Sequence, residues 1–237
     1  RGVICGNWEP KAATECTYAS TLDISSMRAS LAHAAAMGWD ISAMDVSTAF
    51  LNAPLPEGHP EIIVRPPSIF VHFGLVPEGE LWRPTRAVYG LRIAPRAWQD
   101  KRDRDLKELR FDSDGVTCRL IQSEADPAVW SIVPEDTPDA KPMGYLLVYV
   151  DDLLLLGPTQ LLKDAKGTLA KLWTTSSQPQ IGPRCPGSLK YLSINIKYKS
   201  GGTLTLSQEE YLEELLEKWG LDKCKAVGAV NLEHEAY

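Results

Sequence analysis

The stretch Tyr145-Leu-Leu-Val-Tyr-Val-Asp151-Asp152-Leu-Leu-Leu-Leu156 constrains the fold of this chain more than any other. Two wholly apolar runs flank an adjacent pair of acids. A strand with one face in water alternates apolar and polar side chains, whereas these runs are apolar throughout, as strands are in a sheet covered on both faces. Residues 144–150 and 153–156 are therefore predicted to form a buried hairpin with two carboxylates at its tip. Aspartate is a good turn former, which accounts for one acid more readily than for two.

The periodicity around this hairpin is mixed. Ser25 to Met37 sets Met27, Leu31 and Ala34 at helical spacing behind Ser25 or Ser26 as a cap, with Gly38 as the stop. A short strand is predicted over Ile41 to Val46. Seven of the 17 prolines fall between Pro54 and Pro84, which predicts an irregular excursion around one short strand at 62–64. A helix follows from about Pro95 to Leu109, then a strand at Ala128 to Val133, the hairpin, and a helix from about Thr159 to Trp173. A strand from Leu189 to Tyr198, a Gly201-Gly202 turn and a short strand at Thr203 to Leu206 lead to a last helix with the capping-box spacing Ser207-x-x-Glu210. That helix gathers Leu212, Leu215, Leu216 and Trp219 on one side and five glutamates on the other, as a lid would. The class is α+β.

At 237 residues, 44% hydrophobic and 24% charged, the chain is globular and long enough for one large domain or two modest ones. Its net charge of −6 is the wrong sign for a protein coated in nucleic acid, so a polyanion must meet a local basic patch. From Trp82 to Arg110, nine Arg or Lys stand against four acids. This run reads equally as a helix face laced with ion pairs and as a grip on phosphates. The cysteines Cys5, Cys16, Cys118, Cys185 and Cys224 are odd in number and lack two-residue spacing, which argues against a disulfide framework or zinc knuckle and for a reducing compartment. No run of about 18 apolar residues is present, so no membrane partner is expected. Arg1-Gly2-Val3-Ile4-Cys5 has no initiator Met, and the chain reads as a piece of a longer protein.

A third acid completes the chemistry. Asp45 closes the predicted strand at Ile41 to Val46, far upstream of the hairpin, and in isolation would read as a helix cap. Taken with Asp151 and Asp152 it makes a set of hard oxygen ligands suited to two divalent cations ~3.5–4 Å apart, as phosphoryl transfer requires. Each close carboxylate pair repels by roughly 4 kcal/mol at an effective dielectric of 20 and 4 Å, a penalty that a cation removes. One ion would activate an attacking 3′-hydroxyl; the other would hold a triphosphate and its leaving pyrophosphate.

Asp45-Val-Ser-Thr-Ala-Phe-Leu-Asn-Ala-Pro-Leu55, Ala87-Val-Tyr-Gly-Leu-Arg-Ile-Ala-Pro-Arg-Ala-Trp98, Tyr149-Val-Asp-Asp152 and Leu206-Ser-Gln-x-x-Tyr211 stand in an order and spacing that resemble the reverse transcriptases of copia-type LTR retrotransposons. The likeness runs over nearly the whole chain. It implies a right-hand polymerase: a palm of antiparallel sheet and helices (21–52 and 94–199), partial fingers (1–20 and 53–93) and the start of a thumb (200–237). The activity implied is RNA-directed and DNA-directed DNA synthesis, with Asp45, Asp151 and Asp152 as catalytic metal ligands for two Mg²⁺, Mn²⁺ being an alternative.

By the same resemblance, Phe50 is the ring under the incoming sugar, which excludes a 2′-hydroxyl. The backbone amides of Val46, Ser47, Thr48 and Ala49 would hold the triphosphate. Tyr89 and Gly90 would lie over the nucleotide, with Gly90 permitting close backbone approach. Tyr149 and Val150 would border the primer end and the sugar. Arg92 and Arg96 would meet duplex phosphates, and Tyr191-Leu192-Ser193 would grip the primer. The implied partners are an RNA or DNA template with its primer, dNTPs, and the ribonuclease H and integrase parts of a Pol polyprotein. The implied location is a cytoplasmic virus-like particle, or the nucleus. The chain departs from the family's pattern at Ile93, where Gln is usual, at Ser193, where Gly is usual, and at Cys5, where Arg is common. Arg1 stands as the remnant of a basic fingers strand. The alternative is a catalytically inert transposon remnant that keeps the palm fold with weak or no nucleic-acid binding. An RNA-templated RNA polymerase fits less well, because a ring at position 50 selects against ribonucleotides.

Overall fold

The structure, a computed structural model, describes residues 3–6 and 17–224. Arg1, Cys16 and residues 225–237 of the expected thumb lie outside the described residues.

Strands β1 (Asp40–Val46), β2 (Arg110–Ser113), β3 (Val116–Gln122), β4 (Val129–Pro134), β5 (Gly144–Tyr149), β6 (Asp152–Gly157) and β7 (Thr175–Ser177) form one antiparallel sheet in the order β2-β3-β4-β5-β6-β1-β7. Helices α1 (Ile24–Ala36), α3 (Ala94–Glu108) and α4 (Thr159–Leu172) pack on it, and the short α2 (Ser68–His72) lies in the proline-rich excursion. A separate three-stranded sheet, β10-β9-β8, is built from β8 (Gly187–Tyr191), β9 (Ile194–Tyr198) and β10 (Leu204–Ser207), and α5 (Glu209–Lys218) follows it. The class is α+β, as the periodicity predicts. No helix among the described residues is long and apolar enough to cross a membrane.

The doubly apolar hairpin strands have the predicted cause. Leu153 and Leu155 of β6, with Leu146 and Val148 of β5 and Met44 and Val46 of β1, pack against Trp98 of α3 and Leu162, Ala165 and Leu169 of α4. Leu154 and Leu156, with Leu147, Ile41 and Ala43, pack against Met27, Leu31 and Ala34 of α1 and against Tyr191, Ile196 and Tyr198 of the small sheet. Successive strand residues point to opposite faces, so both faces have to be apolar where both are covered. At about 25 cal/mol per Å² of apolar surface removed from water, these leucines stabilise the sheet centre most.

Several boundaries differ from the sequence-based expectation. Asp23, not Ser25 or Ser26, caps α1: its carboxylate accepts from the N–H groups of Ser25 and Ser26 at 2.7 and 3.3 Å, which holds its pKa below the ordinary value. The strand that periodicity predicts from Leu189 to Tyr198 is a hairpin, as the resemblance of Tyr191-Leu192-Ser193 to a primer-gripping hairpin implies, and it turns at Leu192 and Ser193 with φ of 49° and 61°. No glycine or asparagine marks that turn, so the usual signal was missing. The capping box does not form, because Ser207 belongs to β10 and the Glu210 carboxylate reaches Lys190 (3.4 Å). The β2–β3 hairpin was not foreseen, although its Asp114-Gly115 turn (φ 49° and 79°) carries a strong hairpin signature. In the proline-rich excursion the expected strand reduces to a bridge between Val64 and Trp82, and the short helix α2 is added. The apolar side of α5 is not buried against the described residues: Leu212, Leu215, Leu216 and Trp219 are all exposed, Trp219 by 70%.

Candidate active site

The position of β1 beside β6 decides the site. Their antiparallel register makes Asp45 the direct partner of Asp152, which puts both carboxylates on one face at one strand end, Cβ atoms about 5 Å apart by the geometry of such pairs. Asp151 lies in the two-residue turn between β5 and β6, and its carbonyl accepts the Val46 N–H at 2.9 Å. All three acids are half-buried. Burial, then the charge of Asp151, then that of Asp45 pushes the Asp152 pKa up to about 6.

Among the described residues no three His, Cys, Asp or Glu side chains close into a group able to hold a metal ion. The expected ligand set is thus assembled in position and donor chemistry but not as a finished cage. Carboxylate oxygens suit a hard divalent cation, and a cation would offset the burial and the like charges that raise the Asp152 pKa. Three carboxylates at one strand end are donors of the kind such an ion takes.

The expected phosphate-binding amides are divided. Val46 N–H is spent on Asp151 O and Ser47 N–H on Thr174 O, each at 2.9 Å, so these two are withdrawn from the set. Thr48, with φ of 52°, turns the chain left-handed into a single 3₁₀ turn over Ala49–Asn52, and the role narrows to the amides of Thr48 and Ala49. That turn carries Phe50, whose ring meets the Tyr89 ring at a centroid distance of 4.5 Å. The two aromatics expected on either side of a nucleotide therefore form one continuous wall.

Gly90 does permit close approach, but to this chain's own backbone. A Cβ at Gly90 would stand 1.9 Å from Ile4 O, and one at Gly6 would stand 1.9 Å from Gly90 O. Ile4 N–H also donates to Tyr89 O at 2.8 Å. The segment 3–6 thus lies against the Tyr89-Gly90 turn. Ile93 is buried in the core at the start of α3, where a Gln amide would have to be satisfied.

The basic run is mostly paired. Arg96 binds Asp100 (3.0 Å), Lys101 binds Asp105, Arg110 binds Glu135, and Arg83 binds Glu61 (3.2 Å). Arg102, at helical spacing with Trp98, Leu106 and Leu109, is 2% exposed and held by Asp103 at 2.7 Å. Arg92 is exposed. The ion-pair reading describes most of this helix, and for Arg96 a phosphate would have to displace Asp100.

Tyr149, opposite Asp152 in the hairpin, packs on the same core face as Tyr191 and Leu192. The Tyr191 hydroxyl is buried with no hydrogen-bond partner among the described residues, and burial together with the charge of Asp152 raises its pKa above the ordinary value. The small-sheet hairpin thus reaches the acidic strand end from below.

Two features escaped the sequence reading. A cleft of about 1470 Å³ is lined by Leu51 and Val88, the neighbours of Phe50 and Tyr89, together with Trp82, Arg65, Arg83 and Arg86. No motif links Arg65 to the other two. The second is Trp98, whose indole N–H donates to the Val150 carbonyl at 2.7 Å. A tryptophan at helical spacing reads as core, and only the fold reveals where its nitrogen points.

Comparison with known proteins supplies the context of this geometry. A family model described as reverse transcriptase (RNA-dependent DNA polymerase) matches residues 10–133. A Retrovirus-related Pol polyprotein from transposon TNT 1-94 of Nicotiana tabacum is 28% identical over 213 residues, 89% of this chain and 14% of that protein. A putative transposon Ty5-1 protein of Saccharomyces cerevisiae is 31% identical over 173 residues, 71% of this chain and 47% of its own length. The Retrovirus-related Pol polyprotein from transposon RE2 of Arabidopsis thaliana is 29% identical over 212 residues, 89% of this chain and 13% of the polyprotein. The chain spans a small fraction of the two plant polyproteins and about half of the yeast protein.

Proposed function

The chain belongs to the reverse transcriptase family of copia-type retrotransposon Pol polyproteins, and from that premise we propose that it catalyses template-directed addition of dNTPs to a primer 3′-hydroxyl, on RNA and on DNA. The observation that carries this reading is the pairing of Asp45 with Asp152 beside the Asp151 turn. In hand terms, residues 21–52 and 94–199 act as palm, 1–20 and 53–93 as partial fingers, and 200–237 as the start of the thumb.

Asp45, Asp151 and Asp152 would hold two Mg²⁺, or Mn²⁺, which supply activation of the attacking oxygen and neutralisation of triphosphate charge. The remaining work falls to the chain itself. The Phe50 ring supports the deoxyribose and leaves no room for a 2′-hydroxyl, while Tyr89, in contact with it, offers a face to the base. Thr48 and Ala49 amides meet the phosphates. Tyr149, Val150, Tyr191 and Leu192 border the primer end, and Arg92 and Arg96 meet the duplex backbone, the latter by exchanging Asp100 for phosphate. Arg65, Arg83 and Arg86 give the neighbouring cleft the charge to admit a polyanion, with Trp82 as a stacking face.

Primer extension on RNA and DNA templates with dNTPs and Mg²⁺ tests the reading. Extension by the wild-type chain that disappears in Asp151→Asn supports it. A folded wild-type chain without extension points to the inert remnant instead.

A further inference from the structure

The turn that carries Asp151 is strained and held from two sides. Tyr149 and Asp152 are paired, so Val150 and Asp151 are the two central residues of a hairpin turn. Val150 has φ of 54°, a left-handed conformation costly for a β-branched side chain, whereas Asp151 is not left-handed. This is the φ signature of a type II′ turn, in which glycine normally takes the first position. The peptide between Val150 and Asp151 can rotate to give the I′ form, in which Asp151 would be left-handed as well, a conformation that aspartate tolerates. The orientation of that one peptide decides where Asp151 stands.

Two hydrogen bonds set it. The Asp151 carbonyl accepts from Val46 N–H of β1. The Val150 carbonyl, which belongs to the rotatable peptide itself, accepts from Trp98 Nε1 at 2.7 Å. Trp98 is 1% exposed and cannot swing: its ring packs against Trp173 at 5.4 Å, and the Trp173 indole donates to Asp105 at 3.0 Å, which Lys101 also binds. The donor is thus anchored in α3 and braced at the end of α4.

We propose that Trp98 is a positioning residue for the acidic site, its indole N–H pinning the Val150–Asp151 peptide and thereby holding Asp151 in register with Asp152 and Asp45. Trp98 touches neither substrate nor ion; it acts through the backbone. The inference deepens the polymerase reading and rests on it for its kinetic consequence, but not for its structural one.

The test uses the full chain with Trp98→Phe, which keeps an aromatic ring and removes the donor. A second variant replaces Trp98 by benzothienylalanine, in which sulfur takes the place of the N–H at nearly unchanged shape, in case the smaller Phe ring unsettles the core. The expected result is a shifted or exchange-broadened Asp151 amide resonance with the thermal midpoint of the benzothienylalanine protein preserved. Mn²⁺ affinity falls by about tenfold or more, as for other partners that orient a metal ligand, and kcat for primer extension falls with KM for dNTP unchanged. A wild-type chain that shows the Trp98-dependent shift and Mn²⁺ loss but never extends a primer supports the clamp and sinks the polymerase reading. An Asp151 resonance and Mn²⁺ affinity identical to wild type in the benzothienylalanine protein overturn the clamp.

Discussion

Asp45 and Asp152 face each other directly across the β1–β6 ladder, at the end where the hairpin turn delivers Asp151. Opposed like charges destabilise a strand pair. A fold that keeps them spends stability on the site, and the predictions follow from where that cost falls.

Asp152 should govern a pH-dependent loss of stability. Its folded-state pKa, about 6, lies above the ordinary aspartate value of 3.8, so the folded form favours the protonated acid. The associated stability is complete below pH ~3.8 and is lost as pH rises through about 6. Asp152→Asn removes this loss. Its thermal midpoint should exceed that of wild type at pH 7–8 and converge with it toward pH 4, while primer extension is abolished. Calorimetry across that range checks it, and a difference independent of pH contradicts the assignment. Mg²⁺ should raise the wild-type midpoint more at pH 7.5 than at pH 5, and hardly in the variant.

Phe50→Ala should admit ribonucleotides. The Phe50 ring is braced by Tyr89, and its loss opens space for a 2′-hydroxyl. The ratio of dNTP to rNTP incorporation should fall by about tenfold or more, the range for filling or emptying a small apolar volume. Unchanged sugar discrimination in single-nucleotide extension assays refutes the role given to that ring.

Gly90→Ala should destabilise the fold. The new methyl group would meet Ile4 O at 1.9 Å on a backbone with φ of 96°, a conformation that alanine adopts only under strain. A cost of about 2 kcal/mol is expected from the backbone alone, and part of the segment 3–6 should detach from Tyr89. Urea denaturation measures the first, and hydrogen exchange at the Ile4 amide the second.

Ser193→Gly should stabilise the protein. Leu192 and Ser193 both turn left-handed between β8 and β9, at φ of 49° and 61°. Glycine at 193 relieves one of these at a gain of about 1 kcal/mol. A higher urea midpoint with unchanged slope is the expected result; a lower one shows that the serine side chain contributes more than the turn costs.

The α+β class and the buried hairpin were legible in the sequence because strand periodicity is a local pattern; Asp151 and Asp152 stand out there as adjacent acids, whereas Asp45 in isolation reads as a helix cap. Leu153 to Leu156 announce a doubly covered strand without saying what covers it. The β2–β3 hairpin carries its signal only at the Asp114-Gly115 turn, because its strands mix buried and exposed residues with charged ones such as Arg110, Asp112 and Arg119. The break at Leu192 was invisible to propensity, because neither residue there favours a left-handed turn. The basic run left two readings open for a related reason: composition counts charges without their partners, and only packing shows Arg102 buried against Asp103 and Arg96 engaged by Asp100.

By itself, then, the sequence determined which residue types lie on which strands, since side-chain alternation and turn chemistry act over a few residues. Only the tertiary structure decided that β1 inserts beside β6 in the register that opposes Asp45 to Asp152, and that Trp98 reaches across to Val150. Those pairings join residues far apart along the chain, and they are selected by the burial of two whole faces of a sheet, a sum over the fold that no short stretch of sequence contains.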